Sequence, residues 1–243
     1  MADEVLAVHG LRVGYGGADV LHGVSVSLAR GELTTIMGAN GAGKTTLLKS
    51  IMGLVRVSEG DIRLQGESLV GKGSSEIAGL GVALVPEGRG IFPSQSIESN
   101  LCVGGWPLRG GRKVQRAMLT VVYDRFSTLY DRRTRKAGTL SGGEARLLSI
   151  AMALMADPIV LLLDEPSLGL APLVIESVFG VIEALRDEGR SVLLVEQNAE
   201  MALRAADAAH IVHLGRITMS GKPSELAGHP DVQAAYLGGR VDP

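Results

Sequence analysis

The chain has 243 residues, of which 46% are hydrophobic and only 3% aromatic, enough for a sizeable core that must be aliphatic. Its 24 Lys and Arg against 26 Asp and Glu leave a net charge of −2, which argues against bulk nucleic-acid binding, a function that shows as a basic excess or stripe. The single cysteine, Cys102, excludes an internal disulfide framework, the acidic start Met1-Ala2-Asp3-Glu4 does not read as a signal peptide, and no apolar run approaches the ~20 residues of a membrane span, so any membrane association is expected through a partner.

In chain order, Val5–Val8 and the alternating Val24–Leu28 read as strands, separated by a turn at Gly14-Tyr15-Gly16-Gly17. Tyr15 in this glycine setting reads equally as a base-stacking aromatic or as a strand-end packing residue. The apolar run Leu33–Met37 leads into Gly38-Ala39-Asn40-Gly41-Ala42-Gly43-Lys44-Thr45-Thr46, and a helix-compatible segment, Thr46–Met52, leads out. Gly60–Leu64 and Val82–Val85 read as further strands, the second ending at Pro86-Glu87-Gly88-Arg89. From Ser94 to about Ala137 the strand signal gives way to helical patterns, with a basic cluster at Arg132, Arg133, Arg135 and Lys136 that reads as a solvated face. Leu140-Ser141-Gly142-Gly143-Glu144 opens a helix, Ala145–Ala156, stopped by Asp157-Pro158. Ile159–Leu163 is a continuous apolar run ending in Asp164-Glu165, as suits a strand buried on both faces of a parallel sheet. An amphipathic helix, Pro172–Glu188, stops at Gly189; a buried strand, Ser191–Val195, ends at Glu196-Gln197-Asn198. The tail offers Ala209–Leu214, a turn at Gly215, Ile217–Met219 and two short helices. Strands alternating with helices predict an α/β fold around a mostly parallel sheet.

Three stretches carry chemistry. Gly38–Thr46 fits G-x-x-x-x-G-K-[ST] in a strand–loop–helix context, the setting that makes the pattern specific. Glycines let backbone N–H groups turn inward as an anion nest, the following helix points its positive end at phosphates, Lys44 reaches the β- and γ-phosphates, and the Thr45 hydroxyl can ligate Mg²⁺. Asp164 closes a buried strand, where it can hold Mg²⁺ through water, and Glu165 can polarise an attacking water. Ser141 and Glu144 form an S-x-x-E capping box, but a cap needs no paired glycines. Gly142 and Gly143 beside a serine at a helix N-terminus read as a second phosphate-binding surface, far in the chain from Lys44, which suggests two subunits sharing two nucleotides.

On these residues the chain resembles the ATP-binding subunits of ABC transporters over nearly its whole length, because the phosphate loop, the L-S-G-G-E stretch and the Leu-Leu-Leu-Asp-Glu-Pro strand end stand in the family's order and approximate spacing. The resemblance implies a P-loop NTPase with a RecA-like core, an antiparallel β subdomain and an inserted helical subdomain at roughly 93–156, all within a single ATP-binding domain spanning 1–243. It implies ATP with Mg²⁺, and a head-to-tail dimer in which one subunit's phosphate loop and the other's Ser141–Glu144 stretch sandwich the nucleotide. Tyr15 then matches the adenine-stacking aromatic.

Val85–Arg89, Asp164–Pro172, Leu194–Asn198 and the ending Val232–Gly239 look like the second ATPase of branched-chain amino acid importers. Such importers pair two different ATPases with two permeases and a periplasmic or extracellular binding protein, so the expected place is the cytoplasmic face of the membrane, with a second, non-identical ATPase or a second copy as partner and no nucleic acid. Glu87 stands where most family members have the Q-loop glutamine, Gln197 where most have the switch histidine, and Gly169-Leu170 replaces the usual Leu-Asp of the D-loop. Glu87 can still ligate Mg²⁺, and Gln197 can donate to the γ-phosphate but cannot titrate. Rival expectations are the same machine with urea or short amides as cargo, or a soluble ABC ATPase of DNA repair or translation, which long coiled-coil insertions or tandem ATPase domains would mark. The five histidines show no metal-ligand spacing, and Trp106 reads as core or docking surface.

Overall fold

The computed structural model describes residues 3–108 and 110–236; of the expected C-terminal similarity, Leu237–Gly239 lies outside them. Two long strands, β1 (Glu4–Tyr15) and β2 (Ala18–Ala29), form an antiparallel hairpin, and β4 (Val57–Leu64) and the two-residue β5 (Glu67–Ser68) complete a four-stranded sheet in the order β2-β1-β4-β5. Both hairpin strands run past the short segments legible in the sequence. Register shifts after Val8 and after Val13 break the alternation along β1, so the apolar pattern understates the strand. The turn is tighter than expected as well. Only Gly16 and Gly17 form it, both at positive φ, while Gly14 and Tyr15 stay in the strand.

The second sheet has six strands in the order β10-β9-β3-β8-β7-β6. Here β3 is Leu33–Met37, β6 Val82–Val85, β7 Val160–Asp164, β8 Ser191–Glu196, β9 Ala208–His213 and β10 Arg216–Gly221. Neighbours from β9 to β6 pair in parallel, and only β10 is antiparallel. The period of two explains the layers. Val160 and Leu162 face the antiparallel sheet together with Leu48 and Ile51 of α1 (Lys44–Ile51). Leu161 and Leu163 face the helices on the other side, α6 (Gly142–Leu154) and α7 (Pro172–Asp187). Burying one such leucine contributes about 1.5–3 kcal/mol, and the 3% aromatic content leaves Phe179 of α7 as the bulkiest fully buried side chain.

Between β6 and β7 the chain passes through α3 (Ile97–Gly104), α4 (Gly111–Arg125), α5 (Ser127–Asp131) and α6. The last helix starts three residues before the expected Ala145, because Ser141 caps it, and ends at Leu154, with Asp157 in the left-handed region just beyond. Two helices escaped the sequence reading: α2 (Ser74–Gly79) and α8 (Ala199–Ala205), the latter capped by the Asn198 side chain accepting the Met201 N–H at 3.2 Å. The chain closes with α9 (Pro223–Ala227) and α10 (Pro230–Tyr236). No helix of the described residues is long and apolar enough to cross a membrane.

Candidate functional site

The phosphate-loop motif sits where β3 hands over to α1. Gly38 has no room for a side chain, since a Cβ there would lie 2.4 Å from the Val212 carbonyl of β9. Gly43 supplies the left-handed conformation, φ 105°, from which α1 starts. Behind the loop, the Ala42 carbonyl accepts the Gly215 N–H at 3.0 Å, and the Gly215 carbonyl accepts the His22 N–H at 2.8 Å. The β9–β10 turn thus joins the loop to β2. Lys44 folds back under the loop. Its Nζ donates to the carbonyls of Gly38 at 2.7 Å and Ala39 at 3.1 Å and pairs with Glu165 Oε1 at 2.9 Å, with both charged side chains less than a tenth exposed. Three ammonium donors meet three acceptors, so this buried charge is fully satisfied.

The carboxylates arrive on parallel strand ends, the crevice where open α/β sheets place ligands. Asp164 ends β7 and accepts the Thr45 hydroxyl at 3.0 Å. Burial pushes its carboxyl above the ordinary range, the Thr45 bond opposes that, and the neighbouring Glu165 and Glu87 add to it. Glu165 follows with φ 44°, a conformation that costs a non-glycine residue on the order of 1–3 kcal/mol and clusters at functional sites. A cavity of about 400 Å³ is lined by Asn40, Gly41, Gly43, Lys44, Thr45, Thr46, Glu87 and Glu165, with Val20 and Leu168. Gln197 lies in an adjoining cavity of about 310 Å³, which Glu165 and Leu168 also line.

The donor set suits Mg²⁺. Thr45 and Asp164 place two hard oxygens together, and Glu87 lines the same cavity. Among the described residues no three His, Cys, Asp or Glu side chains form a metal cage.

Two parts of the expected site stand apart from this cluster. Tyr15 is 49% exposed at the end of β1 and does not line the 400 Å³ cavity. The Ser141–Glu144 stretch lines neither cavity. It forms the expected capping box, Glu144 N–H to Ser141 Oγ at 3.3 Å and Ser141 N–H to Glu144 Oε2 at 2.9 Å, with Arg132 paired to Glu144 at 2.6 Å. The bond from the Ser141 N–H holds the Glu144 carboxyl below its ordinary range. Packing also has a say in the paired glycines, since a Cβ on Gly143 would lie 2.2 Å from Val174 Cγ1 of α7.

Three residues near the site were not singled out from the sequence. Glu196 and Ser167 are bonded to each other and buried, and the Arg146 guanidinium, also buried, donates to the Pro86 carbonyl at 2.9 Å beside Glu87. Arg146 faces Glu196, Asp164 and Glu87 electrostatically. The one available signal was an arginine among the apolar residues of α6.

Against this geometry, a family model described as ABC transporter matches residues 21–168. A high-affinity branched-chain amino acid transport ATP-binding protein, BraG, of Pseudomonas aeruginosa is 47% identical over 93% of this chain and 96% of its own length. A probable branched-chain amino acid transport ATP-binding protein, LivF, of Archaeoglobus fulgidus is 34% identical over 94% of this chain and 96% of its own. Among solved structures, the ADP conformation of an ATP-binding cassette from an ABC transporter is similar with a TM-score of 0.82 and 25% identity, over 97% of this chain and 99% of that one. The two sheets, the buried Lys44–Glu165 pair, the Thr45–Asp164 bond and the sequence matches converge: the chain belongs to the ABC transporter family, as one of its ATP-binding, ATP-hydrolysing subunits.

Proposed function

We propose that this subunit energises an importer of branched-chain amino acids, working at the cytoplasmic face of the membrane beside two permeases and a second ATPase, with a binding protein delivering the cargo. The observation that carries the reading is the 47% identity, over 93% of this chain, with a branched-chain amino acid transport ATP-binding protein.

In this reading the loop Gly38–Thr46 wraps the phosphates with its N–H groups. Lys44 exchanges its carbonyl and Glu165 partners for the β- and γ-phosphates. Thr45, Asp164 and Glu87 hold Mg²⁺, which when bound neutralises charge on the phosphates. Glu165 orients the attacking water, and Gln197 donates its amide toward the γ-phosphate without titrating. Tyr15, at the exposed end of β1, is offered to the adenine ring. Ser141, Gly142, Gly143 and Glu144 serve the nucleotide held by the other ATPase, which accounts for their distance from this chain's own cavities. ATP binding closes the pair of subunits and hydrolysis reopens it. The apolar groove between the parallel sheet and the helical part, lined by Leu54, Leu84, Pro86 and Met152, receives a permease helix and passes the motion on.

The test is reconstitution with the co-purifying membrane partners. ATPase activity stimulated by binding protein loaded with leucine, isoleucine or valine is expected. Stimulation by a urea- or amide-loaded protein instead would reassign the cargo, and recovery without any permease would remove the transport reading.

A further inference from the structure

We infer that Glu196 is a positioning residue for hydrolysis, a single buried carboxylate that locks the segment carrying Glu165 to the segment carrying Gln197. The inference rests on the roles proposed above for Glu165 and Gln197.

Glu196 closes β8 and is 1% exposed. Its Oε1 accepts the Ser167 N–H at 2.9 Å, and its Oε2 accepts the Ser167 hydroxyl at 2.9 Å, the Gln197 N–H at 3.1 Å and the Asn198 N–H at 3.3 Å. A carboxylate so far from water is costly unless its lone pairs are used, and here four donors converge on it. Burial raises its carboxyl above the ordinary range and these bonds pull it back.

The donors come from two strand ends. Ser167 lies two residues beyond Glu165, whose left-handed backbone needs a neighbour to hold it. Gln197 and Asn198 follow Glu196 directly, and Asn198 in turn caps α8. Glu165, Ser167, Glu196 and Gln197 all line the same 310 Å³ cavity. An apolar residue of similar size at 196 would fill the space but leave the buried Ser167 N–H without its acceptor, at a desolvation cost, and release the part-buried N–H groups of Gln197 and Asn198 from theirs. The carboxylate is therefore the piece that makes the water-orienting group and the phosphate-facing amide move together or not at all. Hydrolysis is sensitive to such alignment, since a displacement near 1 Å can cost about a hundredfold in rate.

The experiment is steady-state ATPase of the full chain in its reconstituted transporter, with ATP affinity and Tm measured on the same variants. Glu196→Ala is expected to lower kcat about 10- to 100-fold with ATP affinity nearly unchanged. Ser167→Ala, which removes one of the four bonds, is expected to lower kcat about 3- to 10-fold, and Glu196→Gln, which keeps one acceptor oxygen, to fall between the two. In a Gln197→Ala background the loss from Glu196→Ala should shrink, because part of its effect is exerted through Gln197. Glu165→Gln is the control. If it leaves activity intact, the reading of the site fails. If it abolishes activity while the Glu196 and Ser167 variants keep wild-type kcat, or lose kcat, ATP affinity and Tm in parallel with full additivity over Gln197→Ala, the positioning role fails alone. Should Glu196→Ala not fold, Glu196→Gln and Ser167→Ala decide the matter by the same criteria.

Discussion

The N-termini of α1 and α6 both combine glycine with a hydroxyl-bearing side chain, and they are finished in different ways. At α1 the cation Lys44 is buried and matched by Glu165, just beyond β7, and two loop carbonyls, while Thr45 reaches Asp164. At α6 the polar groups satisfy one another locally, Ser141 with Glu144, and line neither the 400 Å³ nor the 310 Å³ cavity. The first end is completed by long-range contacts within the fold. The second is completed as a helix cap, with Arg132 paired to Glu144 and Val174 packed against Gly143, and in the proposed reading it serves a group from elsewhere. Under the proposed function, the contrast gives one chain two half-sites of unequal standing, one for its own ATP and one offered to a partner's.

The sharpest way to break this contrast is Glu165→Gln. It is expected to preserve ATP binding and to slow hydrolysis by about 10²–10⁴-fold, read by steady-state ATPase of the assembled transporter beside an ATP-binding isotherm. Near-normal turnover would remove Glu165 from the reaction. Next comes Ser141→Arg, expected to leave ATP affinity of the isolated chain within about twofold while cutting turnover of the complex by about tenfold or more. Loss of ATP binding by the folded, isolated chain would place the α6 end in its own site and erase the distinction between the two termini. Lys44→Ala is expected to weaken ATP binding by about tenfold or more, since it deletes a charge-assisted contact and leaves Glu165 buried without its cation; unchanged affinity would reduce the loop to a turn.

Smaller effects sharpen the comparison. Ser141→Ala should cost about 1 kcal/mol of stability in a denaturant titration. Because Glu144's folded carboxyl sits below its ordinary range, its share of the cap is present at neutral pH and is lost as pH falls below that range. The smallest expected effect concerns Gln197. In a heterodimer whose partner keeps a switch histidine, the Gln-for-Glu change at Glu165 should cost less than the matching change in the partner, and Gln197→His should raise turnover modestly. Equal losses in the paired ATPase assays would show that an amide at 197 sustains full catalysis.

Much of this was legible in the chain itself. Runs such as Ile159–Leu163 and Ser191–Val195 read as buried strands, and the lead-in and lead-out of Gly38–Thr46 placed the loop between β3 and α1. The antiparallel hairpin was only half visible, because bulges break its alternation and glycines dilute its propensity. Helix α8 was hidden behind its own cap, Asn198, which reads as the end of a strand until the Met201 N–H is seen bonded to it. Pairings between distant segments left still less trace. Glu196 with Ser167, and Arg146 with Pro86, join residues 29 and 60 positions apart, and each looks ordinary in its own segment. The sequence shows which residue types suit the chemistry, whereas the groups that hold them are defined by which strand ends meet.

The bond from Gly215 to the Ala42 carbonyl has a further consequence. The match to the family ends at Leu168, and every chemical group of the phosphate loop lies well before that boundary. Yet the loop leans on a buttress supplied later, with Gly215 N–H behind Ala42, the Val212 carbonyl pressed against Gly38, and the Gly215 carbonyl tying both to His22 of β2. A Cβ at position 215 would lie 1.9 Å from the Val20 carbonyl, so the wall admits no thicker residue. A fragment cut at the family boundary would keep every letter of the motif and lose the masonry behind it. The nucleotide pocket depends on residues well beyond its motifs, and its last brick is laid after every residue that lines it.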